Sequence, residues 1–198
     1  MPTERVIEIP WALMQLPQSG RILDVGSCDA DYLSIIQQSD RELHCLDPRP
    51  CSTSIPRGAH FYHESIIGNQ LPADHFDAVL FLSVIEHIGL PCYGQRAFSQ
   101  GDRLALVEAW RLLKPGCPVI VTVPVGMAKT ASWYRQYTPA LLHDLFSDWR
   151  HTISYWVFRD NQYVLADEAD AMRQDYRDQP FKPGAGAGAL AGIVAYRG

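Results

Sequence analysis

Arg21-Ile22-Leu23-Asp24-Val25-Gly26-Ser27-Cys28-Asp29-Ala30-Asp31-Tyr32-Leu33 is the stretch that decides the fold of this chain. Its first five residues read as an apolar strand that stops at Gly26. Asp29 to Gln38 then has helical character, with Tyr32, Leu33, Ile35 and Ile36 available for packing. The turn between strand and helix faces a ligand in such a unit. About twenty residues on, the strand Leu43 to Leu46 delivers Asp47 to the same edge of the sheet, and Pro48 ends it. A carboxylate at that place accepts hydrogen bonds from both hydroxyls of a ribose, so a nucleoside cofactor is expected.

Hydride-transfer enzymes use the same layout with G-x-G-x-x-G, and the chain keeps only the first glycine. Cys28 stands where a second glycine would let backbone touch a pyrophosphate, and Asp31 stands at the third. Asp29 and Asp31 suit the positive end of a helix but repel a phosphate. A cofactor without phosphates fits better than NAD.

Asp24-Val25-Gly26-Ser27-Cys28-Asp29-Ala30 resembles the first motif of the class I S-adenosylmethionine-dependent methyltransferases, an acidic residue followed by x-G-x-G-x-G, with one of its glycines kept. Four further segments follow in that family's order. They are Leu46-Asp47, then Glu64-Ser65-Ile66, then FDAVLFLSVIEHI at Phe76 to Ile88, then RLLKPGCPVIVTVP at Arg111 to Pro124. The resemblance implies an α/β fold: a Rossmann-like, doubly wound, seven-stranded and mostly parallel sheet with an antiparallel C-terminal hairpin.

The periodicity agrees. Strands are expected at Arg21 to Val25, Glu42 to Leu46, His60 to His63, Asp77 to Leu82 and Pro118 to Val123, with helices or turns between them. Ala78 to Leu82 is apolar without alternation, as in a strand covered on both faces. Asp102 is the expected N-cap of a helix to Leu113, and Thr138-Pro139 opens another through about Phe146. His151 to Val164 reads as one long strand and Ala189 to Tyr196 as a last one, with a mobile loop at Pro180 to Gly188. The 198 residues are expected to form one domain: an N-terminal arm or lid over 1–19, a cofactor-binding half over 20–125, and a substrate-side loop, helix and edge hairpin over 126–198. Trp11, Leu13, Met14 and Leu16 of the arm either pack on the domain or close over the cofactor.

The resemblance carries roles over. Gly26 would let backbone approach the methionine part of the cofactor, while Asp24 and the turn at Ser27 would help to receive its amino group. Asp47 would take the ribose, Glu64 the adenine amino group, the backbone of Ser65 or Ile66 the ring, and Ser83 would line the methionine or the reacting methyl. His87 is the candidate base, because its pKa class suits proton removal near neutrality. Glu-His at this position also occurs in relatives that add a glutamate to make a metal site. Ser83 stands there instead, so no metal is expected. Acceptor contacts are expected from Tyr93, Trp133, Tyr134, Arg135 and Tyr137, with Trp133 and Tyr137 serving equally well as loop anchors.

EHIGLPCYG at Glu86 to Gly94 and YRQYTP at Tyr134 to Pro139 resemble bacterial methyltransferases found with polysaccharide or secondary-metabolite pathways. The expected reaction is therefore methyl transfer to an oxygen of a sugar-like or natural-product acceptor. N-methylation, an inactive cofactor-binding partner and an NAD enzyme are the alternatives. A net charge of -5 gives no footprint for nucleic acid, and no apolar run approaches a membrane span. The five scattered cysteines and the absence of an export signal point to reduced thiols and a cytoplasmic protein. The partner expected is a small molecule, with a homodimer allowed.

Overall fold

The computed structural model describes residues 2–28, 30–37, 40–51, 55–177 and 186–198. Strand β1 (Ser19–Val25) pairs in parallel with β2 (Asp40–Leu46) on one side and with β4 (Ala78–Leu82) on the other. Beyond β2 lies β3 (His60–Tyr62), and beyond β4 lies β5 (Pro118–Pro124), both parallel. Strand order therefore reverses between β1 and β4, which opens a crevice outside their carboxyl ends.

The alternating side chains of the central strands feed two cores. On one face Ile22, Ala78, Leu80, Leu82 and Ile120 pack under α1 (Arg5–Gln15) and the short α2 (Leu33–Ile36). On the other, Leu23, Val79, Phe81, Val119 and Val121 meet α3 (Gly101–Leu112), α4 (Pro139–Leu145) and α5 (Glu168–Met172). This double coverage explains the unbroken apolar run of β4, all five of whose residues are buried. Helix α1 settles on the sheet through Ala12, Leu16 and Trp11. The Trp11 ring lies so close to Gly192 that a Cβ there would stand 2.7 Å from it.

The parallel part follows the expectation, and the C-terminal third departs from it. A small antiparallel ribbon of β6 (Lys129–Thr130) and β7 (Arg135–Gln136) lies in the expected loop after β5. The single long strand over His151 to Val164 is a hairpin of β8 (Arg150–Arg159) and β9 (Gln162–Ala166). Asp160 and Asn161 turn it with φ of 48° and 63°, the left-handed pair that a two-residue hairpin loop requires. With β10 (Ala189–Tyr196) between β5 and β8, the sheet has, among the described residues, eight strands where seven were expected, in the order β3-β2-β1-β4-β5-β10-β8-β9. Helix α2 is one turn long, because Ser34 and the β-branched Ile35 and Ile36 hold a helix weakly. Helix α3 starts at Gly101 behind Gln100 and not behind a capping Asp102. The loop expected at Pro180 to Gly188 lies outside the described residues up to 185. Thr138 caps α4 as expected, its hydroxyl accepting from the Leu141 N–H.

The expectation of reduced thiols needs correction. Cys28, in the turn after β1, and Cys51, beyond the end of β2, form a disulfide with Cα atoms 5.0 Å apart. The two strands run side by side in register, so the loops that leave them meet although 23 residues separate the cysteines. Cys45, Cys92 and Cys117 are free. Thiol titration of the denatured, unreduced chain should therefore find three reactive groups, and five would remove the bridge.

Asp24 is wholly buried in β1, and burial pushes its carboxyl up to about 7. Between its ordinary value of 3.8 and about 7 the folded chain holds a proton that the unfolded chain has lost. The stability this group contributes is thus complete at pH below 3.8 and is lost as pH rises to 7, about 4 kcal/mol in all. Asp24→Asn, which cannot ionise, should gain in Tm over the natural chain as pH is raised from 4 to 7. A difference that stays flat across that range would contradict this assignment.

Candidate functional site

The crevice begins at Gly26. Its φ of +80° is a left-handed turn, and a Cβ there would stand 2.6 Å from Val84. The Gly26 N–H donates to the Leu46 carbonyl at 2.8 Å, which locks the turn after β1 to the end of β2. Beneath it Asp24 accepts from the Tyr32 hydroxyl at 2.9 Å, and the Ser27 hydroxyl donates to the Asp24 carbonyl at 2.8 Å. Asp24 and Ser27 therefore shape the turn from below and do not line the cavity.

Asp47 lines it, only 1% exposed. Its Oδ2 accepts from the Cys28 N–H at 2.9 Å and from the Arg49 guanidinium at 3.0 Å. Its Oδ1 accepts from the Arg49 N–H at 2.9 Å and from Arg49 Nε at 3.1 Å. Arg49, which the sequence reading passed over, also lies 5.0 Å over the Tyr93 ring. Ser65 and Ile66 complete the wall on the β3 side, and Leu82, Ser83 and Val84 the wall on the β4 side. Glu64 stands apart, its carboxylate accepting from the Gln70 N–H at 3.3 Å, so the structure does not bring it to the cavity.

Helix α1 supplies the roof. Glu8 is fully buried, with Oε2 accepting from the hydroxyls of Ser83 at 2.6 Å and Thr122 at 2.7 Å, and Oε1 facing Arg5 at 3.3 Å. Burial pushes the Glu8 carboxyl above its ordinary range. Ser83 adopts φ 52°, rare for a residue with a side chain and a common mark of a working site. Glu8, Ala12 and Leu16 share one helical stripe at i, i+4, i+8, so an acid on the apolar face of the arm was the sequence signal for this contact.

A second cavity opens beside the first. Arg5, Ser83, His87 and Tyr93 line both, while Glu86, Trp133, Tyr134 and Tyr176 line the second alone. His87 and Glu86 lie in a single 3-10 turn, Ile85–His87, at the end of β4. His87 Nδ1 bonds the Trp133 carbonyl, so Nδ1 carries the proton and Nε2 keeps its lone pair, 3.8 Å from Glu86 Oε1. Burial lowers the His87 pKa below 6.5 and raises that of Glu86 well above the carboxylate range. Glu86 is 3% exposed, and its Oε2 has no hydrogen-bond partner.

Two expected acceptor contacts lie elsewhere. Arg135 donates to the Ile88 carbonyl at 2.7 Å and lines a third pocket with Tyr137, whose hydroxyl donates to Asp102 at 3.1 Å. Arg135 ties the loop after β5 to the turn after β4 and Tyr137 ties it to α3, so of the five expected acceptor residues Tyr93, Trp133 and Tyr134 reach the crevice. Among the described residues, no helix is long and apolar enough to cross a membrane.

Neither a protein-family model nor a curated protein matches the sequence. Solved structures do match. The Burkholderia thailandensis 1,6-didemethyltoxoflavin-N1-methyltransferase, with bound 1,6-didemethyltoxoflavin and S-adenosylhomocysteine, superposes with a TM-score of 0.67 at 14% identity over 97% of this chain and 79% of that one. A Thermotoga maritima S-adenosylmethionine-dependent methyltransferase, described as a possible histamine N-methyltransferase, gives 0.65 at 16% over 98% and 88%. N-methyltransferase NodS from Bradyrhizobium japonicum, with S-adenosylhomocysteine, gives 0.64 at 12% over 98% and 87%. The strand order, the crevice at its reversal and these superpositions together give the chain the fold of the class I S-adenosylmethionine-dependent methyltransferases.

Proposed function

We propose that this chain moves the methyl group of S-adenosylmethionine to an oxygen of a small hydroxyl-bearing metabolite, sugar-like or a natural product, and releases S-adenosylhomocysteine. The observation that carries the reading is His87, which lines both cavities and keeps its Nε2 lone pair at their junction.

The first cavity fits the cofactor. Gly26 leaves room for backbone approach, Asp47 presents a buried carboxylate to a ribose, and Ser65 with Ile66 lies where an adenine ring would rest. Arg49 holds all the lone-pair positions of Asp47 that the Cys28 and Arg49 N–H groups leave, so a ribose diol must displace its guanidinium. Bound there, the cofactor supplies an activated methyl group. The chain then has to align the acceptor, exclude water and take a proton.

Trp133 and Tyr134 offer aromatic faces to the acceptor, and His87 Nε2 receives its hydroxyl proton. The lowered pKa keeps His87 neutral, hence basic, at pH 7. A nitrogen acceptor is the second reading. The buried, unpartnered Oε2 of Glu86 in the second cavity favours it, since an N–H would satisfy that atom. Of the superposing structures named above, two are described as N-methyltransferases and the third as a possible histamine N-methyltransferase.

Thermal shift separates the cofactor classes. S-adenosylhomocysteine at a hundred times its Kd should add about 2.7 kcal/mol, about 5 to 10 °C in Tm, and NAD should add nothing. Asp47→Ala should weaken that binding about 10- to 150-fold, and unchanged affinity would take Asp47 out of the site. For the reaction, His87→Gln should lower kcat about a hundred- to ten-thousand-fold and abolish an acid limb lying below pH 6.5. A full rate with the limb intact would remove the base. Cofactor binding without slow turnover on any hydroxyl or amine acceptor would favour an inactive binding partner.

A further inference from the structure

On the opposite flank from the acceptor cavity, β2 and β3 bring three ligand-type side chains to one point. Glu42 and His44 are two apart on β2 and so share a face. His60 on β3 is paired in register with His44. Glu42 Oε1 is 3.1 Å from His44 Nε2 and 3.4 Å from His60 Nε2, and all three atoms lie within 4.8 Å of one another. Ligands about 2.0 to 2.2 Å from a tetrahedral zinc ion stand about 3.4 Å apart, close to the spacing found here.

The atoms behind these ligands are arranged to support them. His44 is buried, and its Nδ1 is 2.9 Å from the Tyr62 hydroxyl, a partner that fixes the ring and directs Nε2 at the other two ligands. The second oxygen of Glu42 accepts from Arg21 Nε at 3.1 Å, which turns Oε1 toward the histidines. Glu42 and His60 are exposed, so an ion can enter from solvent and keep a water in a fourth position.

We propose that Glu42, His44 and His60 form a binding site for a divalent transition metal of the zinc class. Two imidazoles and one carboxylate select such an ion over calcium or magnesium, which want oxygen ligands. The site has a structural consequence. Strand β3 is three residues long, sits at the edge of the sheet and, among the described residues, pairs only with β2. It leads within a few residues to Ser65 and Ile66 of the cofactor cavity, so an ion shared by β2 and β3 would pin the strand that sets this wall.

The test is titration of the metal-stripped full chain with zinc chloride by calorimetry, and with cobalt(II) by visible absorption. One equivalent of zinc should bind at micromolar protein, with the intense bands of four-coordinate cobalt. His60→Ala and Glu42→Gln should each weaken zinc binding at least about tenfold. Both side chains are exposed, so these variants should keep the far-ultraviolet dichroism of the natural chain. His143→Ala, in the separate His143, His151 and Glu168 cluster, should leave zinc binding unchanged. Zinc binding that survives both site variants would overturn the proposal, as would its absence at millimolar zinc. In either case the trio is a set of ion pairs only.

Discussion

The turn at Gly26 is the constraint on which the rest of the molecule depends. Four demands meet in one residue. The chain must leave β1 with positive φ, clear Val84 at the end of β4, bond the Leu46 carbonyl at the end of β2, and expose backbone to the crevice. Any side chain here collides with Val84 and strains the backbone. Because β1 lies between β2 and β4, a shift at Gly26 moves the ends of all three strands. Asp47, Ser83 and the Glu86-His87 turn are held where they are by that junction.

Around this turn the chain accepts an unusual electrostatic load. Asp24, Glu8 and Glu86 are buried acids, each with a pKa raised by burial. Asp24 and Glu8 are partly compensated by the hydroxyls of Tyr32, Ser83 and Thr122 and by Arg5. Each of the three acids keeps one buried oxygen without a hydrogen-bond partner. Burial of this kind costs stability unless paired, and its concentration at one sheet edge is the signature of a site shaped for a ligand. Helix α1 takes part in it, so the arm is at once a packing element through Trp11 and Ala12 and a wall of the crevice through Arg5, with Glu8 behind that wall accepting from the Ser83 hydroxyl.

The sequence made the parallel half legible because its signals are local. Strand, glycine, helix and strand-end acid recur at fixed spacing, and Gly26, Asp47, Ser65, Ile66, Ser83 and His87 all come to one cavity. What stayed hidden depends on neighbours distant in the chain. Cys28 and Cys51 pair only once β1 and β2 lie side by side. Arg49 takes the lone pairs of Asp47, a competition that no spacing rule displays. The Asp160-Asn161 turn lacks the glycine that announces most hairpins, which merged β8 and β9 into one reading. Arg135 and Tyr137 looked like ligand contacts because charge and aromaticity serve loop anchoring equally well.

On the function proposed above, the crevice between Gly26 and Asp47 receives an adenosyl sulfonium beside His87. A crystal structure of the chain soaked with S-adenosylhomocysteine tests this most directly. The ribose hydroxyls should lie on Asp47 with the Arg49 guanidinium moved aside, and the sulfur should face the cavity that holds Glu86. An empty crevice, or a dinucleotide with its pyrophosphate at the Gly26 turn, would contradict it.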